Sequence, residues 1–301
     1  SSVRRVDDRK TYLDGLAIGL IIVCCMIWGV QQIFIKAIAS EVPLIMQATI
    51  RSVGASICVF LWMLYKKIPV IKSDKTLLPG AIAGFLFALE FAALYAGLEY
   101  TNTSRAIIFL YVAPFIVVSL LPIFIKTERL NLIQVVGLIV AFLAVAFMFQ
   151  EGLTTYQDSY LKGDLLILVA AVAWGVTTVS VRISTLAYID PARTIFYQLF
   201  FSGIFLSIYC LFTGIALPAS ISTVAIASLF FQTVIVAAIS YLIWFWLLRN
   251  YLVSKVSSFG FLTPIFGLIF SIIFMGDPLT IRVLIALGGV AVGIFLVNRK
   301  A

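Results

Sequence analysis

The sequence predicts an all-α polytopic membrane protein, with ten transmembrane helices forming two inverted five-helix repeats around a central cavity. Three observations predict it. Of 301 residues, 63% are apolar and only 11% charged, with a mean hydropathy of +1.15; an ordinary soluble domain is about a quarter charged. The apolar residues fall in successive runs of about 20, long enough to cross a hydrocarbon core about 30 Å thick as helices. Finally, the first half of the chain returns in the second, displaced by the interval from Trp28-Gly29 to Trp174-Gly175.

Apolar length punctuated by turn residues and charge places the helices at 14–39, 43–65, 77–98, 103–125, 131–151, 163–187, 191–213, 221–249, 253–275 and 280–298. The first run stops at SEVP (40–43), the third at TNTS (101–104) and the ninth at GDPL (276–279). Links this short force neighbouring helices to run antiparallel. A polar stretch around Tyr156 to Lys162 separates the halves. The expected organisation is an N-terminal segment 1–13, a first repeat 14–155, a connecting loop 156–162 and a second repeat 163–299.

Orientation follows from Lys and Arg in the short loops. One set of helix ends carries Arg4, Arg5, Arg9, Lys10, Lys66, Lys67, Lys72, Lys75, Lys126, Arg129, Arg193, Arg249, Lys255, Arg299 and Lys300. The other carries Lys162, with Arg105 and Arg282 near helix starts. The rich side is expected to be cytoplasmic and to hold both termini, as an even number of spans requires. The net charge of +8 is spread over these loops without an aromatic-interleaved basic face, so no nucleic-acid partner is expected. Cys24, Cys25, Cys58 and Cys210 lie inside apolar runs, and the chain has no His and no CxxC motif. No metal or cofactor is implied. The polar N-terminus shows no cleavable signal pattern.

The repeat extends beyond Trp-Gly. Lys36 falls where Arg182 does, Arg105 matches Lys255, and Pro114 matches Pro264; TERLN (127–131) lies near GDPLT (276–280). Because five is odd, the halves enter the membrane from opposite sides, an arrangement common in secondary transporters with a midplane substrate site. These residues resemble the drug/metabolite transporter superfamily. Within it the halves are similar to EamA-type domains, and the chain over about 12–299 is similar to the YddG-type aromatic amino acid exporters. KTERL departs from the pattern by lacking the glycine that GDPL retains. The resemblance implies transport across a cell membrane, the bacterial inner membrane, of small molecules: amino acids, cationic drugs, nucleotide sugars or phosphorylated sugars.

Ionisable groups within spans cost about 2.5–3.5 kcal/mol on insertion scales and are functional candidates. Glu90 sits mid-helix in GFLFALEFAALYAGL, where it holds a substrate ammonium, exchanges a proton, or bridges helices. Phe87, Glu90, Phe91 and Leu94 share one helical face, as do Tyr241, Trp244, Phe245 and Leu248. Repeat alignment sets Glu90 opposite Tyr241 and Tyr95 opposite Trp246. Gln31, Gln32 and Lys36 make the second half of helix 1 polar, and Thr177, Thr178 and Ser180 do so in helix 6. The expected substrate-binding set is Trp28, Gln31, Gln32, Lys36, Glu90, Tyr95, Tyr111, Trp174, Thr178, Tyr241 and Trp244. Pro114 and Pro264 are expected as hinges, with Arg51 and Arg182 at gates; Arg51 could also meet a helix carboxylate or an acidic substrate group.

The leading expectation is a secondary carrier exporting small amphipathic metabolites, foremost aromatic and other neutral amino acids, working as a monomer with protons as a possible coupling ion. An intramembrane enzyme would need a paired catalytic inventory that this chain lacks. A channel would need a filter or charged rings. Carriers of phosphorylated or nucleotide sugars would need several deep cations, and exporters of cationic drugs remain the other alternative.

Overall fold

The computed structural model describes residues 7–154, 156–276 and 278–299. Arg4, Arg5, Lys300 and the acid of the GDPL turn, Asp277, lie outside the described residues. Among the described residues the secondary structure is helical apart from one isolated bridge, Lys10 beside Tyr251. Eight helices are long and apolar enough to cross a membrane. They are α1 (Gly15–Ala37), α2 (Leu44–Tyr65), α3 (Leu77–Leu98), α4 (Thr103–Phe124), α6 (Tyr160–Ile183), α7 (Pro191–Thr213), α8 (Thr223–Asn250) and α9 (Val253–Phe274). Two shorter apolar helices complete the set, α5 (Leu132–Met148) and α10 (Ile281–Val297). The protein is a polytopic, multi-pass helical membrane protein.

The helix ends follow local chemistry. Asp14 caps α1 by accepting from the Ala17 N–H, and Asn131 with Gln134 forms a reciprocal capping box on α5. Pro191 opens α7, where its missing N–H is not needed. Gly276 ends α9 with φ 73°, a left-handed position that favours glycine. At the corresponding point after α4 the chain makes a 3₁₀ turn over Lys126–Glu128 instead. That is why KTERL dispenses with glycine, and it turns Glu128 inward, where it is wholly buried.

Two helices lose regularity just ahead of a proline. Pro114 cannot donate to the carbonyl of Leu110, and α4 breaks between Leu110 and Ala113. Pro264 cannot donate to the carbonyl of Gly260, and α9 tightens into a 3₁₀ turn over Phe259–Phe261. A third irregularity has no signal in the sequence: α8 widens to π-helical winding over Phe231–Ser240, directly before Tyr241.

The main helix pairings are α1 with α9, α4 with α6, α3 with α6, α1 with α8, α3 with α7, α2 with α8, α2 with α7, and α5 with α10. Small residues permit the closest crossings. A Cβ on Gly137 would lie 2.5 Å from the Gly293 carbonyl oxygen, which fuses α5 to α10.

Candidate functional site

The Trp-Gly pair divides two jobs between adjacent positions. Gly29 sits against α9, where a Cβ would stand 2.7 Å from the Gly267 nitrogen; Gly175 sits against α4, 2.8 Å from Ile116 Cγ2. Each glycine lets α1 or α6 cross its broken partner closely. One residue earlier the tryptophan turns into the bundle. Trp28 packs edge-on to Trp244 at 4.8 Å and Tyr241 at 6.2 Å, and its Nε1 donates to Ser240 Oγ at 2.9 Å. Trp174 packs edge-on to Tyr111 at 5.6 Å, with Phe261 beyond it. Trp28, Trp244, Trp174, Tyr111 and Phe261 belong to one continuous apolar cluster.

Charge enters this aromatic surround from α2 and α3. Arg51 is 1% exposed, and its guanidinium lies over the Phe91 ring at 4.6 Å and reaches the Tyr95 hydroxyl. Glu90, 9% exposed, interacts electrostatically with Arg51, and Tyr241 lies within the field of both. Tyr241 in turn meets Phe87 at 6.0 Å. Trp28, Arg51 and Glu90 stand seven to nine residues from the same ends of their helices, ends at Ala37, Leu44 and Leu98. That places them about 10–14 Å deep at 1.5 Å per residue.

Arg51 is expected at a gate, beside a helix carboxylate or at an acidic substrate group; the structure seats it in this cluster, within the field of Glu90. It joins Trp28, Glu90, Tyr95, Tyr241 and Trp244 there, and sets Tyr111 and Trp174 on an adjoining wall. Trp246, the repeat partner of Tyr95, is 37% exposed and packs edge-on to Tyr251 at 6.1 Å. Thr178 bonds back to the Trp174 carbonyl, as Thr177 does to that of Ala173.

The two ends of the bundle differ. Along α1, Cys25, Gly29, Gln32 and Lys36 follow one helical strip. Cys25 and Gly29 are buried, whereas Gln32 and Lys36 are exposed. Gln31, on the neighbouring Trp28 face, is buried. Every residue of α9 from Val253 to Leu262 is buried, but Phe266 to Phe274 are half-buried or exposed. Tyr95 and Leu98 of α3 are half-buried where Phe87 and Phe91 are buried. The inward faces thus open toward the end of the bundle away from the N-terminus.

The N-terminal end is sealed by charge. Arg182 pairs with Glu128 at 2.9 Å and Asp7 at 2.6 Å. Glu128 also accepts the Val253 and Ser254 N–H groups at 3.0 and 2.9 Å, so one buried carboxylate joins α6, the turn after α4 and the start of α9. Arg9 donates to the carbonyls of Leu248 and Ala187, and the Lys10 backbone pairs with Asn250 and Leu252. Beneath this lattice a void of about 20 Å³ remains beside Thr178, Arg182 and Phe245, room for about one water. Arg182, expected near a gate, is therefore ion-paired and 2% exposed, while its repeat mate Lys36 is exposed at the open end. Sequence reasoning passed over Glu128 and Asp7. Glu128 had one signal: it occupies the acidic position of the TERLN/GDPLT turn.

The EamA-like transporter family model matches this chain twice, over residues 15–150 and 161–299. The chain belongs to the EamA-like transporter family. It is a transporter and not an enzyme. Among curated relatives, "Uncharacterized transporter YoaV" of Bacillus subtilis is 22% identical over 277 residues, covering 92% of this chain and 94% of that protein. The "Probable amino-acid metabolite efflux pump" of Salmonella typhimurium is 22% identical over 276 residues, covering 89% and 88%. One solved crystal structure superposes with a TM-score of 0.77 at 14% identity, covering 92% of this chain and 94% of that one. At that identity the likeness establishes the fold alone. For an EamA-like transporter, the polar cluster among aromatic rings is the candidate substrate site.

Proposed function

We propose that this transporter is a secondary carrier that exports small amphipathic metabolites, foremost aromatic and other neutral amino acids, by alternating access. One observation carries the reading: a buried cation and a carboxyl, Arg51 and Glu90, stand among Trp28, Trp244, Tyr241, Phe87 and Phe91 between an open and a sealed end of the bundle. Aromatic walls take an apolar side chain, and the Arg51 guanidinium and Glu90 carboxyl take a polar head. The relative from Salmonella named for amino-acid metabolite efflux supports the same substrate class.

All ten helices cross the membrane in this reading. The 17-residue helices α5 and α10 are about 26 Å long at 1.5 Å per residue, close to the hydrocarbon thickness. The halves, 14–155 and 163–299, are inverted repeats. Exchanging them turns α1–α9 into α6–α4, α3–α6 into α8–α1 and α3–α7 into α8–α2, and leaves α2–α7 and α5–α10 unchanged, which supports a pseudo-two-fold axis in the membrane plane. The basic loops lie at the sealed end, which supports a cytoplasmic side there for both termini, in a bacterial inner membrane. The conformation is then outward-open. Export requires the Asp7–Arg182–Glu128 lattice to part while the opposite end closes, with the breaks ahead of Pro114 and Pro264 as hinges. The carrier acts as a monomer, driven by the substrate gradient or by proton exchange at Glu90.

The test is efflux from proteoliposomes preloaded with labelled phenylalanine, glutamate, ethidium or glucose 6-phosphate. The reading predicts saturable efflux of phenylalanine only; efflux of ethidium or the sugar phosphate in its place overturns it.

A further inference from the structure

We propose that Arg51 and Glu90 form a two-point clamp for a zwitterion: Arg51 takes the α-carboxylate and Glu90 the α-ammonium of one free amino acid, whose side chain lies against Trp28, Trp244 and Tyr241. This deepens the amino-acid reading above and rests on it, by assigning each end of the substrate to a residue.

The argument starts from unmet hydrogen-bonding capacity. Arg51 Nη2 is buried and has no hydrogen-bond partner. A guanidinium offers five N–H groups, and leaving them unpaired away from water is expensive. Opposite charges sharing a buried site ordinarily close to an ion pair. Yet Arg51 and Glu90 are not within the 4.0 Å of a salt bridge, and Glu90 accepts no hydrogen bond from any described residue. Arg51 is held back by its seat over Phe91 and its bond to Tyr95. The separation leaves Arg51 Nη2 without a partner and Glu90 without an ion pair or hydrogen bond among the described residues.

A free amino acid fits this arrangement because its ammonium and carboxylate branch from a single carbon. Its carboxylate accepts the free guanidinium N–H groups in charge-assisted bonds, and its ammonium donates to Glu90. A ligand with one charge completes only half of the clamp. An organic cation pairs with Glu90 but sets a like charge against Arg51; a phosphorylated sugar pairs with Arg51 but sets one against Glu90. The clamp therefore selects by repulsion as well as attraction. The ring wall selects separately: the Trp28–Trp244 edge contact and Tyr241 present apolar surface to the side chain without a further charge.

The test is competition against labelled phenylalanine exchange in proteoliposomes holding the full chain. Competitors are unlabelled phenylalanine, 2-phenylethylamine, which lacks the carboxylate, and 3-phenylpropionate, which lacks the ammonium. Wild type is expected to prefer phenylalanine to either analogue by about tenfold or more, the loss expected for one missing charged hydrogen bond. Glu90→Gln should abolish discrimination against 3-phenylpropionate, and Arg51→Gln discrimination against 2-phenylethylamine. Arg51→Lys and Glu90→Asp, which keep charge, test the same assignment where the neutral variants fail to fold. Equal competition by all three compounds in wild type overturns the clamp while leaving an aromatic carrier intact. Unchanged discrimination in the variants also overturns it. Absence of phenylalanine exchange in wild type removes the amino-acid reading and the clamp together.

Discussion

Arg182 Nε donates to the Glu128 carboxylate at 2.9 Å, and both side chains are closed to solvent. The pair ties the end of α6 to the turn after α4, and through the Val253 and Ser254 N–H groups to the start of α9. Breaking a buried pair from one side leaves an uncompensated charge and costs about 3–5 kcal/mol. Glu128→Ala is therefore expected to lower the melting temperature in detergent strongly. The double variant Glu128→Ala/Arg182→Met should lose less than the two single changes summed. Additive losses in a double-mutant cycle would mean that the pair is not coupled.

The two ends of the bundle should differ in reach. Cysteines introduced at Gln32 and Lys36 are expected to react with a membrane-impermeant maleimide. One at Thr178, beside the void of about 20 Å³ under the sealed end, should react at least about tenfold more slowly. Saturating substrate should narrow that ratio as the sealed state gives way. Equal labelling at all three sites without substrate would contradict the asymmetry.

Trp28 supplies both a ring edge to Trp244 and a hydrogen bond to Ser240. An aromatic pair contributes about 0.5–1.5 kcal/mol beyond buried area. Trp28→Ala is expected to weaken apparent affinity for phenylalanine about tenfold, and Trp28→Phe, which keeps a ring, by less. Exchange kinetics at varied substrate concentration separate the two variants. A change confined to maximal rate would place Trp28 outside the site.

Asp14 couples acidity to closure of the N-terminal end. Its carboxylate accepts the Ala17 N–H, the Tyr251 hydroxyl and the Lys10 ammonium, which hold its pKa down at about 2 from 3.8. A depressed folded-state pKa gives stability that is present above the unfolded value and lost as pH falls through the folded one. Asp14 should thus stabilise fully above about pH 4 and progressively less toward pH 2. Comparison of thermal melts for wild type and Asp14→Asn across that window checks it. The variant keeps a capping oxygen but does not titrate, so parallel curves would rule the linkage out.

Much of the fold was legible because apolar length and turn chemistry are local properties. The run lengths gave α1 to α4 and α6 to α9 within a few residues, and the matched prolines gave the breaks in α4 and α9. Tyr241 lies within the field of Glu90, the residue that repeat alignment sets opposite it. What sequence could not give depended on depth and partner. Lys36 and Arg182 occupy equivalent positions, yet one is exposed and the other sealed, because Arg182 meets Glu128 and Asp7. Gln32 and Thr178 look alike as polar residues in apolar helices; Thr178 bonds its own backbone and Gln32 lies at the open end. Glu128 reads as a loop acid until the 3₁₀ turn at Lys126 swings it under α9. The π winding before Tyr241 carries no signal in the composition of FQTVIVAAIS.

Movement of free amino acids through the Arg51–Glu90 site, as proposed above, has a direct readout. The most direct measurement is counterflow: proteoliposomes loaded with unlabelled phenylalanine, diluted into labelled phenylalanine, with wild type beside Arg51→Gln and protein-free vesicles. Transient, saturable accumulation of label above its equilibrium level is expected in wild type, reduced about tenfold or more in the variant. Label entry in wild type that matches protein-free vesicles, or full counterflow in folded Arg51→Gln, would contradict it.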